Sequence, residues 1–400
     1  MVSGGMLAGL RVLDLTRFVA GSQSTAVLAA MGADVIKVEV PPGDPYRRQG
    51  TERADAEAVL FLSLNSGKRS LALDFRNPAG RAPLGRVLAT CDIVMENSRP
   101  GSLDAHGLDW DSVHDRYPAI IYGSISGYGD TGPDASKGGF DLILQAQSGI
   151  MSVTGTTGSG PVKVGAPLLD VGAGLSCVLG VLAACVERQR TGVGRLVSSS
   201  LLEFALTGIG TVAAEVLASG SVPGLLGTHS PTFAPYGGFR TADGWIVLAG
   251  AGTEQLWQRA CQVIGLDALV ADERFADNAR RVAHRDDLTR EIERVLRTGS
   301  TAHWLGEFER AGVPAAEVRD MAQTLHSAQV QALGSVQELH HPSAGDYRLV
   351  SPPVRIDRER LEYPMPAPAL GADSRAVLTE SGFSAAEIDD LIRREVVVTP

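Results

Sequence analysis

Two aspartates are placed where a carboxylate could do chemistry. Asp170 ends the apolar, strand-like run Ala166-Pro167-Leu168-Leu169 and opens a glycine-containing, uncharged stretch over residues 171–186 with helical character. A carboxylate there meets unpaired N–H groups and the positive end of a helix dipole. Two roles fit. One is a plain N-cap. The other is a nucleophile held ionised in a dry pocket, which attacks an activated acyl carbon and divides acyl transfer into two easier steps through a mixed anhydride, with backbone N–H groups holding the oxyanion. Asp141 follows Gly138-Gly139-Phe140 and has a similar pair of readings: cap of a helix over residues 140–150, or partner carboxylate for Asp170.

A second group is basic. Lys68-Arg69, Arg76 and Arg99 each fall within a few residues of an expected strand end, where ligands gather in open α/β sheets. Each is readable as a solvated loop charge or as a partner for phosphate. The first strand-to-helix turn reads Thr16-Arg17-Phe18-Val19-Ala20-Gly21, with one glycine where a dinucleotide fingerprint has three. Glu39 nevertheless sits where a ribose-binding acid would stand. The eight histidines include His340-His341 but no HExxH, so a metal site is not expected. No P-loop or GxSxG elbow appears.

The elements that must position these groups alternate. Leu10-Arg11-Val12-Leu13-Asp14-Leu15 and Asp34-Val35-Ile36-Lys37-Val38 read as strands around a helix that Gly32 stops. The pattern repeats at residues 70–74, 92–96 and 119–124, with helical stretches between. Alternation of this kind predicts an α/β fold: a Rossmann-like large domain with a mostly parallel sheet and helices on both faces. A long buried helix is expected over residues 171–190, too short in its uncharged part for a membrane span. A Gly/Pro-rich stretch over 219–235 changes the character of the chain. Beyond it one strand signal, Trp245-Ile246-Val247-Leu248-Ala249, precedes three charged amphipathic helices, a smaller α+β domain. The expected division is residues 1–218 for the first part of the large domain, 219–325 for linker and small domain, and 326–400 returning to the large domain.

Composition narrows the function. The 400 residues are 44% hydrophobic and 20% charged, enough apolar side chain for packed cores. Thirty-six basic against 46 acidic side chains leave a net charge of −10, the wrong sign for tracking nucleic acid, although a local basic cluster can still hold a nucleotide or coenzyme. Cys91, Cys177, Cys185 and Cys261 lie among apolar neighbours with no metal spacing, as free thiols do in a reducing compartment. No basic n-region precedes Arg11, so no signal peptide is read and a cytoplasmic location is expected.

Together the segments resemble the class III CoA-transferase family, also called CaiB/BaiF, which includes formyl-CoA transferase and α-methylacyl-CoA racemase. The stretches that carry the likeness are Leu10 to Leu15, Gly32-Ala33-Asp34-Val35-Ile36-Lys37-Val38-Glu39, Asn65-Ser66-Gly67-Lys68-Arg69-Ser70, Glu96-Asn97 with Arg99-Pro100-Gly101, and Gly127-Tyr128-Gly129-Asp130-Thr131-Gly132-Pro133. Arg190-Thr191-Gly192-Val193-Gly194, Pro235-Tyr236, Thr241-Ala242-Asp243-Gly244-Trp245-Ile246, Gly312-Val313-Pro314 and Leu370-Gly371 follow in order. The resemblance implies an interlocked homodimer and a CoA thioester as substrate, with no permanently bound cofactor. It matches the family's catalytic aspartate to Asp170, which would pass through an acyl-aspartyl anhydride and an aspartyl-CoA thioester.

The implied CoA contacts are Val19, Ala20, Val40, Leu73, Asp74, Phe75, Arg76, Asn97, Ser98, Arg99, Ala105, Gly138, Gly139, Phe140 and Asp141. Val19 stands where formyl-CoA transferase has glutamine, Val40 and Ala105 stand at arginine positions, and the glycine-rich flap is not recognisable, which argues against formyl or oxalate as substrate. Racemases of the family need a histidine where this chain has Phe140, and phenylalanine exchanges no proton. CoA transfer between carboxylates is therefore the leading function, with a racemase-like enzyme or a non-catalytic acyl-CoA-binding protein as alternatives. Gly227-Thr228-His229-Ser230 leading to Pro235-Tyr236 resembles members that use succinyl-CoA and dicarboxylate acceptors such as glutarate or mesaconate.

Overall fold

The computed structural model describes residues 5–50 and 57–400. Its first half alternates as the sequence pattern predicts: β1 (Arg11–Asp14), α1 (Ala20–Ala30), β2 (Asp34–Glu39), α2 (Val59–Asn65), β3 (Arg69–Leu73), α3 (Pro78–Leu88), β4 (Ile93–Glu96), α4 (Trp110–Arg116) and β5 (Ile121–Ser126). Then come α5 (Asp141–Gln147), α6 (Leu168–Thr191) and a strand at Leu196–Ser200.

These strands form one seven-stranded sheet in the order Val397–Val398, β3, β2, β1, β4, β5, Leu196–Ser200. All neighbours are parallel except the C-terminal strand, which runs antiparallel to β3. Leu13, Ile36, Leu71 and Val94 are buried, as the central strands of a sheet covered on both faces require. Each such side chain contributes about 1.5–3 kcal/mol on leaving water. Strand order reverses between β1 and β4, the place where an open α/β sheet leaves a crevice at its carboxyl edge.

Local signals account for the helices that frame this crevice. Asn77 accepts the Ala79 N–H and Pro78 starts α3. Gly192, at φ +71°, ends α6 in the left-handed conformation. A Cβ on Gly174 would lie 2.4 Å from the Ala20 carbonyl oxygen, so glycine is what lets the start of α6 approach the start of α1 backbone to backbone. The helix Ala385–Arg393 opens with a capping box formed by Ser384 and Glu387, and its Ile388 and Leu391 enter the same core as β1 to β4.

Two expectations about α6 need correction. Residues 166–170 are not a strand: Pro167 is the N-cap and the helix starts at Leu168. Nor is α6 buried all round, since Leu175, Leu179 and Val186 are exposed, Leu179 at 72%. Its 24 residues are long and apolar enough to cross a membrane by length and composition alone.

The chain divides into two compact units, Met1–Ser148 with Val164–Ala213 and Gln331–Pro400, and Gly149–Lys163 with Ala214–Val330. Residues 149–163, expected in the large domain, belong to the second unit because Gly155 accepts the Gly227 N–H at 2.7 Å and Thr156 bridges to Leu226. That unit is built on an antiparallel sheet of Ala315–Glu317, Trp245–Ala249 and Tyr236–Arg240. Helices at Glu254–Val263, Arg285–Leu296 and Thr301–Arg310 pack Trp257, Ile292 and Phe308 against Phe239, Ile246 and Leu248. Periodicity signalled only the middle strand.

Candidate active site

A buried ionic network sets the floor of the crevice. Asp14, at the end of β1, accepts the Thr16 N–H at 2.9 Å and hydroxyl at 2.5 Å, the Thr25 hydroxyl at 2.7 Å and the Lys68 ammonium at 2.9 Å. Lys68 also donates to Ser22 O and Asn65 Oδ1, and Lys37 donates to Thr16 O and Asp44. Burial alone would raise the Asp14 pKa, but Lys68, Lys37 and the Thr16 hydrogen bond bring it below the usual range. Burial, with Lys37 adding to it against the pull of Asp14, lowers Lys68 to about 8.

Three residues singled out from the sequence thus serve the fold instead of a ligand. Lys68 spends its ammonium on Asp14, Ser22 O and Asn65; Arg69 pairs with Asp34 and Glu380. Glu39 binds Arg47 through two oxygens, at 2.6 and 2.8 Å, and also accepts from Ser70 and the Asp44 N–H, so it has no capacity left for a ribose.

Above this floor two loops are tied together. The Asn97 amide accepts the Arg17 N–H at 2.8 Å and donates to the Arg17 carbonyl at 2.7 Å. Phe18, next in line, is held at φ +61°, a conformation that costs an aromatic residue about 1–3 kcal/mol. Its ring stands edge-on between Tyr46, at 5.5 Å, and Phe140, at 6.0 Å.

These loops enclose a cavity of about 460 Å³, with Asp170 in its wall together with Arg17, Phe18, Tyr46, Arg99, Gly138 to Phe140 and Leu201. Asp170 is the third residue of α6, and among the described residues its carboxyl has no hydrogen-bond partner. The cap is supplied from elsewhere. Asp141 Oδ2 accepts the N–H groups of Leu169, at 2.8 Å, and Asp170, at 3.4 Å, while its Oδ1 accepts from Gln145. Burial, and then the negative charge of Asp141, push Asp170 up to about 7. A second cavity of about 330 Å³ shares Arg17, Ser98 and Ser102 with the first and is walled by Val38, Val40, Phe75, Arg76 and His106.

The model of CoA-transferase family III matches residues 7–374. The chain belongs to this family. The mouse succinyl-CoA:glutarate CoA-transferase is 35% identical over 375 residues, covering 94% of this chain and 86% of that protein. The Agrobacterium fabrum succinate–glutarate CoA-transferase is also 35% identical, with 94% and 95% covered. A CaiB/BaiF family protein from Brucella suis superposes with a TM-score of 0.83 at 33% identity, covering 94% of this chain and 99% of that one.

Within this family III CoA-transferase the expected site residues divide. Ala20, Asn97, Ser98, Arg99, Gly138, Gly139 and Phe140 line the cavity that holds Asp170, and Val40, Phe75, Arg76 and again Ser98 line its neighbour. Five expected contacts line neither. Leu73 is fully buried in the core, Val19 is the N-cap position of α1, and Ala105 lies in the short turn Asp104–His106. The Asp74 carboxylate accepts from Arg76, and that of Asp141 is spent on α6. Conversely, Arg17, Phe18 and Tyr46 face the cavity without having been assigned there. Arg17 and Phe18 lie in the turn whose expected contacts were Val19 and Ala20; nothing around Tyr46 in the sequence marks it.

Proposed function

We propose that this protein moves CoA from succinyl-CoA to a free dicarboxylate of the glutarate class through a thioester on Asp170. The observation that carries the reading is the unpaired carboxyl of Asp170, half-buried in a cavity that opens beside a second, partly apolar slot. The first fits an acyl group at its thioester. The second fits the far end of a CoA molecule, with Arg76 as a phosphate partner. No ion pair among the described residues engages Arg17 or Arg99, which leaves two guanidinium groups for an anionic substrate. The activities of the mouse and Agrobacterium relatives supply the donor and acceptor class.

In the first step ionised Asp170 attacks the thioester carbon, the C–S bond breaks, and CoA leaves as thiolate from a mixed anhydride. The thiolate attacks the aspartyl carbonyl, releasing the donor acid as carboxylate and leaving aspartyl-CoA. The acceptor carboxylate then attacks aspartyl-CoA, and the thiolate returns to the acceptor's carbonyl, regenerating Asp170. Phe140 has no exchangeable proton for the two-base chemistry of a racemase.

Exposed Leu142 and Ile143 on α5 and Leu179 and Val186 on α6 support assembly as a homodimer, interlocked as the family resemblance implies. Four free, buried cysteines support a reducing, cytoplasmic setting.

Intact-mass spectrometry after incubation with succinyl-CoA, followed by hydroxylamine or borohydride trapping and peptide mapping, tests the proposal. A CoA-sized adduct or trapped derivative on Asp170, absent in Asp170→Ala, is expected. CoA binding with no adduct and no exchange into glutarate would replace it with a binding-only or racemase-like function.

A further inference from the structure

Attack on a thioester creates an oxyanion, and a helix N-terminus beside the nucleophile would ordinarily stabilise it. Here the first turn of α6 is already occupied. The Leu168 N–H donates to Ala166 O at 2.8 Å, those of Leu169 and Asp170 to the Asp141 carboxylate, and that of Val171 to Pro167 O at 3.2 Å. The donor must come from another wall of the cavity.

Tyr46 supplies a candidate on that wall. Its ring is half-buried, and its hydroxyl has no hydrogen-bond partner among the described residues. The segment that carries it is locked from both sides. Asp44 accepts the Tyr46 N–H at 2.9 Å and is itself buried against Lys37 at 3.0 Å, while Arg47 is buried in its two-point contact with Glu39. Phe18 packs edge-on against the ring. A hydroxyl with no other task, on a ring with so little freedom, is preorganised in the sense that electrostatic catalysis requires.

We infer that the Tyr46 hydroxyl donates a hydrogen bond to the acyl oxygen as it becomes an oxyanion during attack by Asp170, making Tyr46 a catalytic residue of the transfer. The phenol keeps its proton throughout; no bond to it forms or breaks. Burial, then the charges of Asp170 and Asp44, hold its pKa above the ordinary value, so the donor form persists over the working range. The inference rests on the Asp170 reading above.

The test compares wild type, Tyr46→Phe and protein carrying a fluorinated tyrosine at position 46, with succinyl-CoA and glutarate. If wild type forms no Asp170 adduct, the reading of Asp170 fails. With that adduct in hand, Tyr46→Phe is expected to lower kcat about a hundredfold while KM for succinyl-CoA changes less than about threefold. A kcat within about threefold of wild type, or a loss confined to KM, overturns the inference and passes the oxyanion to the backbone N–H groups of Gly138 and Gly139. The fluorinated side chain keeps the ring and lowers the phenol pKa. The alkaline limb of its kcat profile is expected at lower pH than in wild type, a shift that a packing role would not produce; an unmoved limb counts against the hydroxyl even if Tyr46→Phe does not fold.

Discussion

The carboxylate of Asp141 accepts the backbone N–H of Asp170, the residue whose own carboxyl faces the cavity, and that of Leu169 beside it. One aspartate thereby fixes the helix end that carries the other and adds negative charge next to it. Asp141 acts on Asp170 both by position and by field, and the two effects are separable by experiment.

The field sets a pH dependence. Asp170 attacks only as the carboxylate, and it is held up to about 7 by burial and then by Asp141. The kcat/KM for succinyl-CoA is expected to rise through about pH 7 and level off above it. Asp141→Asn keeps an oxygen for the N–H groups but removes the charge, so the rising limb moves to lower pH. A limb that stays in place would show that Asp141 contributes nothing electrostatically.

The same shift has a cost in stability. An acid whose pKa is raised on folding binds its proton more tightly in the native state. Its contribution is therefore greatest below the unfolded value near 3.8 and declines as pH rises through about 7. Asp170→Asn is expected to stabilise the protein at pH 8 by about 2–4 kcal/mol relative to wild type, and by much less at pH 4. Denaturant midpoints at the two pH values check this; equal shifts at both would exclude a titrating Asp170.

Arg99 offers a contrast with Lys68 and Arg69. It lines the cavity, and a Cβ on Gly138 would lie 2.8 Å from its Nε, so the glycine leaves room for the guanidinium. Arg99→Ala is expected to raise KM for succinyl-CoA about tenfold or more with a smaller change in kcat, and to flatten the salt dependence of binding. Unchanged KM and salt dependence would assign Arg99 to solvent.

Lys68→Met leaves the fully buried Asp14 facing Lys37 with its strongest partner gone. Loss of about 3–5 kcal/mol in unfolding free energy is expected, because the remaining charge stays in the interior. Urea unfolding measures it directly, and a loss under about 1 kcal/mol would mean that Thr16, Thr25 and Lys37 suffice to hold Asp14.

What the sequence determined by itself was whatever is written locally or in ordered motifs. Strands β1 to β5 are apolar runs because a parallel sheet is covered on both faces, and the helices between them show their caps and glycine stops. The family was legible in segments such as Asn65 to Ser70 and Gly127 to Pro133, whose order chance does not reproduce. The strand Val397–Val398 was not legible, since two residues carry no period and their place beside β3 comes from the return of the chain. Charge and capping were decided only in three dimensions. A basic residue at a strand end looks the same in sequence whether it meets a phosphate or, as Lys68 does, an aspartate 54 residues away. Asp141 at the head of α5 looks like that helix's own cap, yet its carboxylate serves α6, 28 residues on at Leu169. Tyr46 reaches the cavity of Asp170 because Asp44 and Arg47 are pinned by buried partners on β2, a constraint that exists only once the sheet has formed.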